Sequence, residues 1–229
     1  MREEKQAHHA LSRFFKDVGV PHKMVTDGAK TQVLGKFRSK IREVDCKVHQ
    51  IEPHTAFSNR CEGEIGILKK MTGRKLTSTG SPKRLWDDCM ELMSFQRSHT
   101  ALDIWQLEGQ VPQTLMTGHT ADISQFFELD FYEWCMYHGS AISFPKDKLC
   151  LGRWLGPTLD KGPAMSGKIL KPNGERVIVS TYRPLTAEEY DDPVIKQRMD
   201  DFNEEVHIKL GPSANPDDFD VELEEFFRI

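Results

Sequence analysis

The chain has 229 residues, 38% hydrophobic and 29% charged, with a formal net charge of −4. No apolar run reaches the ~18 residues that a spanning helix needs, and the opening MREEKQAHH has no leader-like apolar stretch, so no membrane partner is expected. Five cysteines without a CxxC pair argue against zinc or disulfide frameworks and for a reducing interior, nucleus or cytoplasm.

The small net charge hides an asymmetry. Residues 188–229 carry 14 acidic and 4 basic residues, a net of −10, which leaves +6 on the rest. A basic body with an acidic tail suits a body that meets polyanions.

Taken in order, residues 4–18 predict a helix, because Ala7, Ala10, Leu11, Phe14, Phe15 and Val18 recur at helical spacing. Gly19 ends it and Pro21 keeps it from resuming. Lys23–Thr26 reads as a short strand, closed by the turn pair Asp27-Gly28. Residues 30–44 form a second amphipathic pattern and Lys47–Ile51 a second strand. A polar loop then leads to a helix over about Asn59–Lys75, and Ser81-Pro82 is a good start for another that reaches toward Leu102.

Beyond Val111 the helical signal weakens. Phe126–Phe144 is rich in aromatic residues and reads as strands or extended chain. Lys148–Trp154 predicts another strand, and Pro172-Asn173-Gly174 marks a hairpin between Ser166–Leu170 and Glu175–Ser180. From Ala187 the acid-rich, Pro-containing composition predicts a mostly disordered tail, with a short helix near 193–206.

Two positions attract attention as chemistry. Asp27 stands at a strand end, where a carboxylate can project into a cleft. Glu62 follows it after 34 intervening residues and Glu64 after 36, both at a helix start. Two residues on a helix lie about 200° apart, so only one can face Asp27. Glu64 shares its face with Ile67, Leu68 and Met71, the core side. Glu62 shares its face with Ile65 and Lys69 and is preferred. Lys69, Lys70, Arg74 and Lys75, with Lys83 and Arg84 beyond, form a stripe suited to phosphate. Tyr132, Trp134 and Trp154 are able to stack on bases, though core of a β module is the better reading.

The runs VPHKMVTDGAK and PHTAFSNRCEGEIGILKK, followed by VPQTLMTGHTADISQF and KLCLGRWLGPTLDKGPAMSGKILKPNGERVIVSTYRPL, resemble in order and spacing the integrases of retroviruses and copia-type retrotransposons. The resemblance covers about residues 5–186. It implies a partial ribonuclease H-like α/β core over 1–110 that lacks its first strands, a β-rich module over 111–186 and the acidic tail over 187–229. It also implies DNA integration by metal-dependent phosphoryl transfer, with Mg²⁺ or Mn²⁺ on Asp27 and Glu62, and DNA and further copies of the chain as partners. The family's site holds an Asp, a second Asp and a Glu about 35 residues later. Asp27 and Glu62 match the last two. The first Asp and the family's zinc module have no counterpart before Asp27, so the chain as given is expected to be inactive. The alternative is a non-catalytic nucleic-acid-binding remnant of a retrotransposon polyprotein.

Overall fold

The structure is a computed structural model that describes residues 6–26, 35–51, 60–104, 107–126, 128–139, 149–158 and 165–215, without the side chains of Arg60 and Gln125. It is a mixed α/β architecture of helices and a small antiparallel sheet, divided into two compact units, residues 1–66 and 67–229.

In the first unit, helix α1 (Ala7–Asp17) and helix α2 (Gly35–Glu43) pack together, with Leu11 and Ile41 buried. Strands β1 (Lys23–Thr26) and β2 (Lys47–Gln50) run parallel with α2 in the connection. Their pairing runs from Lys23 with Lys47 to Thr26 with Gln50, and the Ile51 amide donates to the Thr26 carbonyl at 2.8 Å. A parallel pair needs a crossover rather than a tight turn, and the amphipathic run before β2 supplies it. Helix α3 (Arg60–Thr79) begins at the end of this unit.

The second unit holds the rest of α3, a 3₁₀ turn at Lys83–Leu85, helix α4 (Trp86–His99) and helix α5 (Pro112–Thr117). Then come strands β3 (Trp134–His138), β4 (Leu149–Pro157), β5 (Gly167–Leu170), β6 (Arg176–Val179) and β7 (Tyr182–Pro184), which pair antiparallel in the order β6-β5-β4-β3-β7. Helices α6 (Ala187–Asp191) and α7 (Pro193–Leu210) follow.

The hairpin expected at Pro172–Gly174 joins β5 to β6. Gly174 sits at φ +80°, a conformation that costs a residue with a Cβ, and its amide donates to the Lys171 carbonyl at 3.0 Å. Gly152 serves close packing instead, since a Cβ there would lie 2.4 Å from the Ile169 side chain. One hydrophobic core gathers Leu76 of α3, Leu85, Cys89 and Leu92 around α4, Phe131, Trp154, Leu155 and Ile169 of the sheet region, and Phe202 and Val206 of α7.

Two sequence expectations are corrected here. The first is the mostly disordered tail over 187–229: the short helix expected near 193–206 is present as α7, but it is longer and packed, α6 precedes it, and disorder fails for residues 187–215. Asp192 caps α7 by accepting from the Val194 amide at 2.8 Å, Pro193 takes the first turn, and Ile195, Met199, Phe202 and Val206 are buried. These four recur at spacings of four, three and four, so one narrow stripe reaches the core although the average composition is acidic. Residues 216–229 lie outside the described residues.

The second correction concerns the aromatic run. Within its described part, only Trp134–His138 is a strand. Phe131 and Tyr132 sit instead in a turn where the Glu133 amide donates to the Asp130 carbonyl at 3.1 Å and the Tyr132 amide to the Trp154 carbonyl at 2.7 Å. Tyr132 takes φ +63°, uncommon for a bulky residue. The Arg153 guanidinium, 4.4 Å over its ring and 3.4 Å over that of Trp134, donates to the Tyr132 carbonyl at 2.8 Å and holds it there. Tyr132, Trp134 and Trp154 are all buried, so they are core rather than base-stacking platforms.

Candidate nucleic-acid and metal site

The parallel pairing of β1 and β2 brings the carboxyl ends of both strands to one edge. Thr26, the last residue of β1, pairs with Gln50 and is itself buried. Asp27 is the next residue in sequence and lies outside the described residues. From the same edge the chain passes through residues 52–59, also outside them, into α3. Glu62 stands in the first helical turn, half-buried. The distance between Asp27 and Glu62 therefore falls outside what the structure describes.

Along α3 the residues that share a side with each acid differ in burial, while the two acids do not. Ile65 and Lys69, which share the side of Glu62, are exposed, whereas Leu68 and Met71 pack against the core. Glu64 is half-buried, like Glu62. Among the described residues, no three His, Cys, Asp or Glu side chains are grouped as a metal ion requires. Glu62 is thus the one proposed ligand that is described, and a single carboxylate does not make a cation site.

The basic stripe divides into two kinds of residue. Lys69 and Arg74 are exposed on α3, and Lys70 is half-buried. Lys75 is half-buried and paired with the Asp130 carboxylate. That partner lies 55 residues away in sequence, so periodicity in α3 gave no sign of it. Lys83 and Arg84 are exposed within the 3₁₀ turn, and Arg84 donates to the Lys209 carbonyl at 3.4 Å, near the end of α7.

Other polar groups hold the fold. Asp88, only 4% exposed, accepts from Lys168 at 2.9 Å and from Arg176 at 2.6 Å, while Lys168 also reaches Glu91 at 2.6 Å. Burial alone would lower the Lys168 pKa; its hydrogen bonds to Glu91 and Asp88 outweigh this and raise it. Burial pushes the Cys89 and Cys135 thiols up to about 12, so both are protonated and inert as nucleophiles. Arg153 falls to about 10, chiefly through burial, and remains a cation at neutral pH.

No helix among the described residues is long and apolar enough to cross a membrane. No protein-family model matches the sequence, and no curated protein matches it. Among solved structures, the chain is similar to a chain of "CryoEM structure of simian T-cell lymphotropic virus intasome in complex with PP2A regulatory subunit B56 gamma", at 14% identity and a TM-score of 0.42. The match covers 79% of this chain and 62% of that one, so the chain spans less than two thirds of the length of the protein it resembles.

Proposed function

We infer that the chain is an integrase-like, DNA-binding protein of the polynucleotidyl transferase class, built on a partial ribonuclease H-like core. The observation that carries the reading is the parallel pairing of Thr26 with Gln50. It fixes the two strand ends from which Asp27 and the segment leading to Glu62 depart at one edge, and in open α/β sheets functional groups gather beyond the carboxyl ends of the strands. Asp27 and Glu62 are the proposed acidic pair, with Mg²⁺ or Mn²⁺ as the proposed cation. Lys69, Lys70 and Arg74 are the proposed phosphate contacts, and Lys75 acts through its pairing with Asp130 to hold α3 against the second unit's core.

In this reading residues 1–110 serve as the catalytic core and 111–186 as an accessory β module. The division is one of role rather than of packing, since α4 and the sheet share one core. A second reading, a nucleic-acid-binding protein without chemistry, is favoured by the exposure of Lys69 and Arg74, which does not depend on the acidic pair.

Manganese separates the two. Mn²⁺ titrated into the isotopically labelled chain is expected to broaden the amide signals of Thr26 and Glu62 first, and Asp27→Asn is expected to abolish the effect. Duplex DNA binding without that broadening selects the second reading. Neither broadening nor DNA binding removes both.

A further inference from the structure

An apolar groove of about 490 Å³ opens on the second unit, lined by Met71 of α3, Arg97 and Thr100 at the end of α4, and Leu102, Ile123 and Phe126 beyond. Ile123 is 41% exposed there. Arg74 lies one helical turn from Met71 on the same face of α3 and is exposed. The groove is thus mainly apolar, with the Arg97 guanidinium on its lining and Arg74 one turn along α3 from Met71.

We propose that residues 216–229 of this chain dock in that groove. Three observations select this occupant. The first is delivery. Ala214 is buried, its amide donates to the Ser81 carbonyl at 2.9 Å, and Ser213 bridges Pro82, so the chain reaches residue 216 from a fixed point at the α3–α4 connection. The second is reach. Helix α4 has 14 residues, about 21 Å from that connection to the groove end, whereas fourteen extended residues span up to about 46–50 Å. The third is chemistry. Residues 216–229 interleave six apolar side chains, Phe219, Val221, Leu223, Phe226, Phe227 and Ile229, with six acids and a single Arg. Such a segment fits an apolar groove that carries Arg97 on its lining and has Arg74 nearby on α3. On the reading above, docking there also places carboxylates beside Arg74 and competes with DNA phosphate for it.

The test uses a fluorescent peptide of residues 216–229, the full chain, and a chain ending at Asn215, which keeps every described residue. The peptide is expected to saturate the shortened chain and to bind the full chain at least about 10-fold more weakly, because a tethered segment acts at an effective concentration near millimolar. Ile123→Glu, a change at an exposed position, is expected to abolish peptide binding without shifting the unfolding midpoint. Methyl signals of Met71 and Ile123 are expected to move on peptide addition. Equal peptide affinity for both chains, or binding indifferent to Ile123→Glu, overturns the proposal. So does self-association of the shortened chain that Ile123→Glu abolishes without peptide binding, which gives the groove to a second copy. Peptide docking with no duplex binding by either chain leaves this proposal standing and removes the DNA reading instead.

Discussion

The Lys168 ammonium lies 2.9 Å from the Asp88 carboxylate, which the Arg176 guanidinium approaches from the other side at 2.6 Å. Asp88 is 4% exposed, so this carboxylate ties α4 to β5 and β6 where water does not compensate its loss. Without Asp88 the Lys168 ammonium keeps Glu91 and the partly exposed Arg176 keeps Asp87, so the loss is that of buried charge-assisted hydrogen bonds, about 1–3 kcal/mol. Asp88→Ala is expected to destabilise by that order in urea unfolding. Asp87→Ala, at an exposed position that also pairs with Arg176, is expected to cost no more than about 1 kcal/mol. Equal effects would show that the buried cluster does not hold the sheet to the helix.

The packing of α7 carries a second prediction. Phe202 meets Trp134 edge to face at 5.1 Å and is 2% exposed. Phe202→Ala is expected to cost about 3–5 kcal/mol. Amides of residues 195–206 are expected to show hydrogen-exchange protection close to that of β4. Exchange at the rate of an open coil would mean that α7 does not belong to the core.

The basic stripe is tested by salt. Lys69→Ala and Arg74→Ala are each expected to flatten the dependence of log affinity on log salt by about one unit in duplex binding. Lys75→Ala, whose ammonium is already neutralised by Asp130, is expected to flatten it by clearly less. An equal loss from all three would show that the ion pair opens when DNA binds.

Glu189 gives a pH prediction. The forked hydrogen bonds from Arg183, at 2.6 and 2.7 Å, together with the Thr186 amide of its capping box, hold its carboxyl down from the ordinary 4.5 to about 2. The folded pKa is depressed, so the stabilising contribution is complete above about 4.5 and is lost as pH falls through about 2. Carboxyl NMR titration is expected to place Glu189 well below the other exposed glutamates. Arg183→Gln is expected to return it toward 4.5, and no movement would assign the shift to the cap alone.

Strand transfer is the last. Purified 1–229, given a pre-processed DNA end with Mg²⁺ or Mn²⁺, is expected to yield no joined product. Two proposed carboxylates do not screen the mutual repulsion of a cation pair held 3.5–4 Å apart (an approximate spacing, about that of two-metal sites). Joined product that vanishes in Asp27→Asn would show that another acid completes the site, with Asp17 and Glu64 the first to test.

Elements whose signal is local are legible in the amino-acid order. Helical spacing placed α1, α3 and α4, and the turn residues Pro172-Asn173-Gly174 placed the β5–β6 hairpin, because periodicity and turn chemistry act over a few residues. Helix geometry alone separated the Glu62 side of α3 from the side that carries Leu68 and Met71. Tertiary structure decided what depends on partners far along the chain. Lys75 is drawn to Asp130, Asp88 is buried between two cations from β5 and β6, and Tyr132 is held at positive φ by Arg153 from the next strand. The acidic segment after Ala187 shows the limit most plainly. Its average composition argues against burial, yet four apolar residues on one stripe make α7 part of the core that the sheet and the other helices share.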